Sequence, residues 1–189
     1  MAQIGSYHLA ANPQLYEPQR TNTFSFVVTD IDDLVQLGST TGKTFANAQE
    51  ILSVACAGTF VPHFSQEPIT IKRGNNEIKF AGTVSYSAGT VKLRDYIGAN
   101  VKEILMAWRK LSYNDETEKV GVLARSPYKK DCYIIEYAAD FVEVRRWVLH
   151  GCWISDISES DFDADNGDKK DMSITVQYDW ANVDTTGRE

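Results

Sequence analysis

Apolar and polar residues alternate over two stretches near the C-terminal end of this 189-residue chain, and a period of two is the signature of a half-buried strand. Across 142–153, Trp147, Leu149, Gly151 and Trp153 fall on one side and Arg146, Val148, His150 and Cys152 on the other. Across 172–180, Met172, Ile174, Val176 and Tyr178 oppose Ser173, Thr175, Gln177 and Asp179. A third apolar run occupies 132–137. The acidic, turn-rich segment 155–171 separates the last two runs. This order predicts an antiparallel meander with one long charged connection, not a βαβ unit.

The N-terminal half supplies further elements. Aromatic and β-branched residues at 23–29 predict a first strand. Residues 69–81, with Gly74, Asn75 and Asn76 at the centre, predict a hairpin whose short strands of mixed polarity need not enter the main core. Residues 83–95 predict another strand, centred on 90–93. One helix opens at Asn100, with Asn100 as cap and Glu103 completing a box-like pattern. Val101, Ile104, Leu105, Trp108 and Leu111 share one face at helical spacing, which reads as core packing. The stretch 45–58 is ambiguous, with a short helix starting near Thr44 as one reading. Residues 114–119 read as a charged loop. No repeat or linker divides the chain, so one mainly β domain over 23–182 with a single packed helix is expected, followed by a tail at 183–189. Residues 1–22, with Pro13 and Pro18, read as an extended arm, either a loose terminus or a segment that docks on a neighbour.

Composition narrows the function. Apolar residues make up 43% of the chain and aromatic residues 11%, enough for a real core. The net charge of −7 argues against tight nucleic-acid binding, which needs cations to neutralise phosphates. Cys56, Cys132 and Cys152 form no CxxC pair and read as reduced thiols. His8, His63 and His150 are too dispersed for a zinc site. No signal peptide is expected, because residues 1–10 lack a basic region followed by a long apolar core, and no membrane-spanning anchor, because the longest apolar stretch, 51–61, falls far below the ~20 residues required. Gly38, Gly42, Lys43 and Thr44 suggest a phosphate loop, yet three residues separate the glycines where four are required. Asp161, Asp163 and Asp165 begin like a calcium loop, with Asp168 beyond them. Asn166 stands where that loop needs glycine, and Met172 where it needs glutamate. No nucleophile motif is present. The chain therefore reads as no enzyme, with no cofactor and no metal, and its acidic connection as a loop facing water or a charged channel.

The chain also carries a resemblance. Tyr128, Lys129 and Lys130 lead into a strand that ends in Tyr137 and Ala138. The next strand closes on Gly151 and Trp153, the aspartate-rich loop follows, and the terminal strand ends in Tyr178, Asp179 and Trp180. In this order and spacing, 126–182 resembles the tail tube proteins of contractile-tailed bacteriophages, and the similarity reaches back to Phe24. The resemblance implies an antiparallel β-sandwich or partial barrel flanked by the helix, its sheet continuing across subunits in a ring. It implies a strand over 51–57 and a protruding hairpin that reaches an adjacent subunit. Expected contact residues are Ile69, Ile71, Lys72, Arg73, Asn75, Ile78 and Phe80, with Tyr16 in the arm. Arg146, Val148 and His150 form the more polar sheet face, expected to meet solvent or a lumen.

By the same resemblance, hexameric rings stack head-to-tail into a hollow tube through which DNA passes without specific binding. The implied partners are copies of the chain itself, the tail sheath, the baseplate or tube initiator, and a tape-measure protein. The implied place is the virion, assembled in the cytoplasm of the bacterial host. The tube protein of type VI secretion is a relative by fold, and a tube-initiating or tube-terminating tail protein is an alternative. Segments 31–49 and 114–126 depart from compact family members. Two other classes remain: a nucleotide-binding enzyme built on Lys43, and a monomeric β binding module.

Overall fold

The computed structural model describes residues 18–32, 47–124, 127–162, 167 and 169–184. In chain order the elements are β1 (Phe24–Val28), α1 (Ala48–Ala55), β2 (Cys56–Gly58), β3 (Phe64–Arg73), β4 (Asn76–Tyr86), β5 (Gly89–Arg94) and α2 (Val101–Ser112). After these come β6 (Tyr113–Asn114), β7 (Lys119–Val120), β8 (Lys130–Tyr137), β9 (Glu143–Glu159), β10 (Asp171–Gln177) and β11 (Trp180–Asp184). Seven strands form one antiparallel sheet in the order β1-β8-β9-β10-β5-β2, with β11 added on β9. The sheet curls into a nearly closed barrel, mainly β with packed helices.

β9 is the spine of this barrel. Its first half pairs with β8 through Ile134↔Trp147 and with β11 through Ala181↔Leu149. Its second half pairs with β10 through Ile174↔Ile157. The change of partners occurs at Gly151, whose φ of +70° lies in the region that disfavours any side chain. A Cβ on Gly151 would also collide with the carboxylate of Asp179, which Lys129 Nζ holds at 2.8 Å on both oxygens. Beyond this bend the inward parity of the strand switches. Leu149 is buried before it, and Cys152 and Ile154 are buried after it. The expected simple alternation is thus corrected by a backbone kink, because the extra residue at a bulge shifts the two-residue repeat.

The core lies between the inner faces of the strands and α2. Val101, Ile104, Leu105 and Trp108 are almost fully buried, and Leu111 is 8% exposed, as the helical stripe predicts. Trp108 also donates its indole N–H to the carbonyl of Tyr128 at 2.8 Å. Met172, Ile174, Val176 and Tyr178 all face inward, as their alternation predicts.

Several boundaries differ from expectation. The acidic connection does not begin at 155, because β9 runs through to Glu159. There Ser155 and Ser158 face outward and bond to Thr175 and Ser173, while Ile154 is buried and Ile157 packs against the core. The single strand expected over 172–180 is two, β10 and β11, turned at Tyr178 and Asp179. Val183 and Asp184, assigned to the tail, belong to β11. The strand expected at 83–95 is also split, since Thr83–Tyr86 completes β4 and only β5 joins the barrel. The strand implied over 51–57 is overturned. Ala48–Ala55 is helical and buries Ala48, Leu52 and Ala55, leaving only a three-residue β2. The charged loop at 114–119 is the turn of a small β6–β7 hairpin. Asn100 makes no side-chain cap; it takes a left-handed backbone at φ 50°, a conformation asparagine tolerates.

Candidate assembly interface

The β3–β4 hairpin is longer than the 69–81 expected from turn signals and leaves the barrel entirely. Among the described residues its strands pair only with each other, and all ten residues of β3 are exposed. Its root is an aromatic joint. Tyr178 lies 5.9 Å from the rings of both Phe60 and Tyr86, and Phe64 packs on Tyr86 at 6.4 Å. The Tyr178 hydroxyl accepts from the His63 amide at 3.3 Å, while Ser87 N–H donates to the His63 carbonyl at 3.1 Å. These bonds fix the direction in which the hairpin leaves the barrel.

Above the root, a bulge lies between Gln66 and Pro68. Proline fits there because the ladder needs no N–H from it. Gly82 lies so close to the Glu67 carbonyl that a Cβ would collide with it, and Gln66 Nε2 donates to the Gly82 carbonyl at 2.7 Å. Past the bulge, Ile69 pairs with Phe80, Ile71 with Ile78 and Arg73 with Asn76. These directly opposed residues share one face. Gly74, at φ +63°, opens the two-residue turn with Asn75.

The outcome is an apolar stripe in water. Ile69, Ile71, Ile78 and Phe80 are 56%, 53%, 39% and 51% exposed. A two-stranded hairpin is marginal alone, and a contiguous exposed apolar face marks a binding surface. Lys72, Arg73 and Asn75 flank the stripe at the tip, so the structure brings the expected hairpin contacts together. Tyr16 lies outside the described residues.

The second expected surface, on β9, is only partly open. Arg146 reaches Glu143 at 2.7 Å and lies 5.7 Å from the Tyr133 ring centre. Val148 is corrected: it is 9% exposed, covered between the neighbouring strands β8 and β11. His150 stacks on Trp180 at 4.0 Å, with Nδ1 3.1 Å from Asp131 and Nε2 3.1 Å from Asn182. This set fastens β11 to the barrel.

Asp161 is exposed in the acidic connection, whereas Asp163, Asp165 and Asp168 lie outside the described residues, as does the Gly38–Thr44 loop with Lys43. At the start of the connection Glu159 sits between Lys102 at 2.7 Å and Lys170 at 2.9 Å, and these two hydrogen-bonded cations hold its carboxyl below the usual range. Burial pushes the Cys56 thiol up to about 11 and the Cys132 thiol well above its ordinary value, so both stay protonated and unreactive.

Sequence reasoning missed the joint at Tyr178 and the lower hairpin, where Phe64 and Val84 are 62% and 41% exposed. The alternation of Val84 and Tyr86 was a signal for the latter. The contact between Phe60, Tyr86 and Tyr178 left no local signal, because the three rings come from distant positions.

The family described as T4-like virus tail tube protein gp19 matches residues 23–181. The chain belongs to this tail tube family. Its members are structural proteins, not enzymes. None of the curated proteins compared with the chain matches it in sequence.

Solved structures share the tube fold. The chain is similar to a chain of the sheath/tube terminator structure of an extracellular contractile injection system, PVC, in the extended state, with 16% identity, a TM-score of 0.62, and 90% and 99% of the two chains covered. It is similar to a chain of the PVC sheath-tube complex with 16% identity, a TM-score of 0.61, and 93% and 98% coverage. It is also similar to a chain of the anti-feeding prophage baseplate with 10% identity, a TM-score of 0.55, and 91% and 99% coverage. At such identities the likeness is one of fold.

Proposed function

We propose that this tail tube family member is the repeating subunit of a phage tail tube. Hexameric rings stack head-to-tail into a hollow conduit for DNA. The observation that carries this reading is the unpartnered hairpin. A chain that projects Ile69, Ile71, Ile78 and Phe80 into water on a rigid root has a surface built for another protein. A hairpin that meets a different surface on the next copy makes a heterologous contact, which generates rings or filaments. The chain's net charge of −7 suits a conduit, since an acidic wall does not hold phosphates. The tail sheath outside, the baseplate at the end and a tape-measure protein within are its partners, and the virion is its place.

A terminal ring is a second reading, since chains of a sheath/tube terminator structure and of a sheath-tube complex share this fold almost equally, at TM-scores of 0.62 and 0.61. Electron microscopy and light scattering on the purified, concentrated protein separate the two. Hollow tubes of uniform width are expected. Single rings that never stack would favour the terminator, and a strict monomer at every concentration would overturn both.

A further inference from the structure

The hairpin tip presents charge as well as apolar surface. Lys72, Arg73 and Lys79 stand against one acid, Glu77. Among the described residues, none of these four joins an ion pair within the chain. The surface that receives the tip therefore has to offer apolar contact and negative charge together.

One cleft on the chain has that make-up. It is an open cleft of about 330 Å³ between α1 and the edge strand β1, lined by Val27, Val54, Asp32 and Glu50 together with the neutral Asn47, Gln49 and Ser53. Val54 is 67% exposed although its neighbour Ala55 is fully buried, so an apolar side chain points out of the helix into the cleft. Glu50 is exposed in the first turn of α1. Asp32 accepts from the Gln49 amide at 3.2 Å, which fixes its carboxylate at the cleft. Neither acid pairs with a cation among the described residues.

We propose that this cleft receives the β3–β4 tip of a second copy of the chain. Ile71 and Ile78 seat against Val54 and Val27, and Arg73, on the same hairpin face, meets Glu50 and Asp32. The chain's own hairpin does not use the cleft, since every residue of β3 is exposed. Ten residues at ~3.3 Å each give β3 a reach of roughly 33 Å, enough to cross onto a neighbouring barrel. Tip and cleft are different surfaces, so every copy both gives and receives, as a closed ring requires. Complementary charge sets the register and rejects wrong contacts. The inference rests on the chain being a self-assembling tube subunit and names the receiving surface for its hairpin.

The test is a charge swap in the full chain, read by sedimentation of assembled material with electron microscopy of the pellet. Arg73→Glu and Glu50→Arg are each expected to cut the assembled fraction by about tenfold, the scale of a 1.4 kcal/mol loss per contact. The double variant is expected to recover most of it. Melting of all three should match the wild type, since both positions are exposed. If Glu50→Arg assembles like the wild type, or the double variant is as impaired as Arg73→Glu alone, the cleft is not the receptor. A wild-type chain that does not assemble at any concentration overturns the tube reading, and this inference with it.

Discussion

β10 and the β3–β4 hairpin use the same local code and end in opposite places. Met172, Ile174 and Val176 alternate with polar residues, and all three are buried. Ile69 and Ile71 on one strand and Ile78 and Phe80 on the other alternate in the same way, and all four are exposed. The two-residue period says that one face of a strand is apolar. It does not say whether that face finds its cover in the same chain or in another. β10 has β9 and β5 on its two edges and α2 in the same core, so its apolar face closes within the chain. The hairpin's apolar face has no core to close on within the barrel, and its four side chains stay exposed.

Matched substitutions test this contrast. The largest effect is expected from Ile174→Ala, which empties a space in a closed core and should lower stability by about 2–5 kcal/mol in a denaturant titration. Gly151→Ala comes next. It forces a side chain into a left-handed position and pushes Asp179 away from Lys129, and a loss of about 1–3 kcal/mol is expected in the same titration. Unchanged stability would show that the bend in β9 tolerates a side chain.

Tyr178→Phe removes the hydroxyl that tethers His63 and should cost about 1 kcal/mol. Amide exchange should then speed up at the root of the hairpin before the barrel responds. A smaller effect concerns pH. The Glu159 carboxyl sits below the usual range in the folded chain because of Lys102 and Lys170. Its contribution is therefore complete above the ordinary carboxylate range and is lost as pH falls through its lower folded value. Glu159→Gln should flatten the acid limb of the stability curve below about pH 4.5, and added salt should do the same because the group is near the surface.

The smallest effect on folding is expected from Ile71→Ala, within about 0.5 kcal/mol of the wild type, together with a marked loss of assembly by sedimentation. A melt that falls as far as for Ile174→Ala would place the hairpin inside the folding unit and erase the contrast with β10.

Residues near one another in sequence account for most of what was legible. The α2 stripe, the inward side of β10 and the existence of β1, β8 and the hairpin all follow from side-chain period and turn chemistry, which act within a few residues. That Ile69, Ile71, Ile78 and Phe80 share a hairpin was legible too, because Gly74 and Asn75 mark the turn. The receiving cleft was not, since Val27, Asp32, Glu50 and Val54 meet only when α1 packs beside β1.

The chain by itself thus determined a mainly β domain, one strong helix, and the apolar faces of its strands. Tertiary structure decided where each ladder stops. Asp156 and Ser158 read as connection, yet they extend β9 because β10 lies alongside, pairing them with Thr175 and Ser173. The break between β10 and β11 comes from the kink at Gly151, which presents Asp179 to His150 and turns the chain onto the other half of β9. A strand's length is set by its partners' backbone groups, and those come from positions that no local pattern connects.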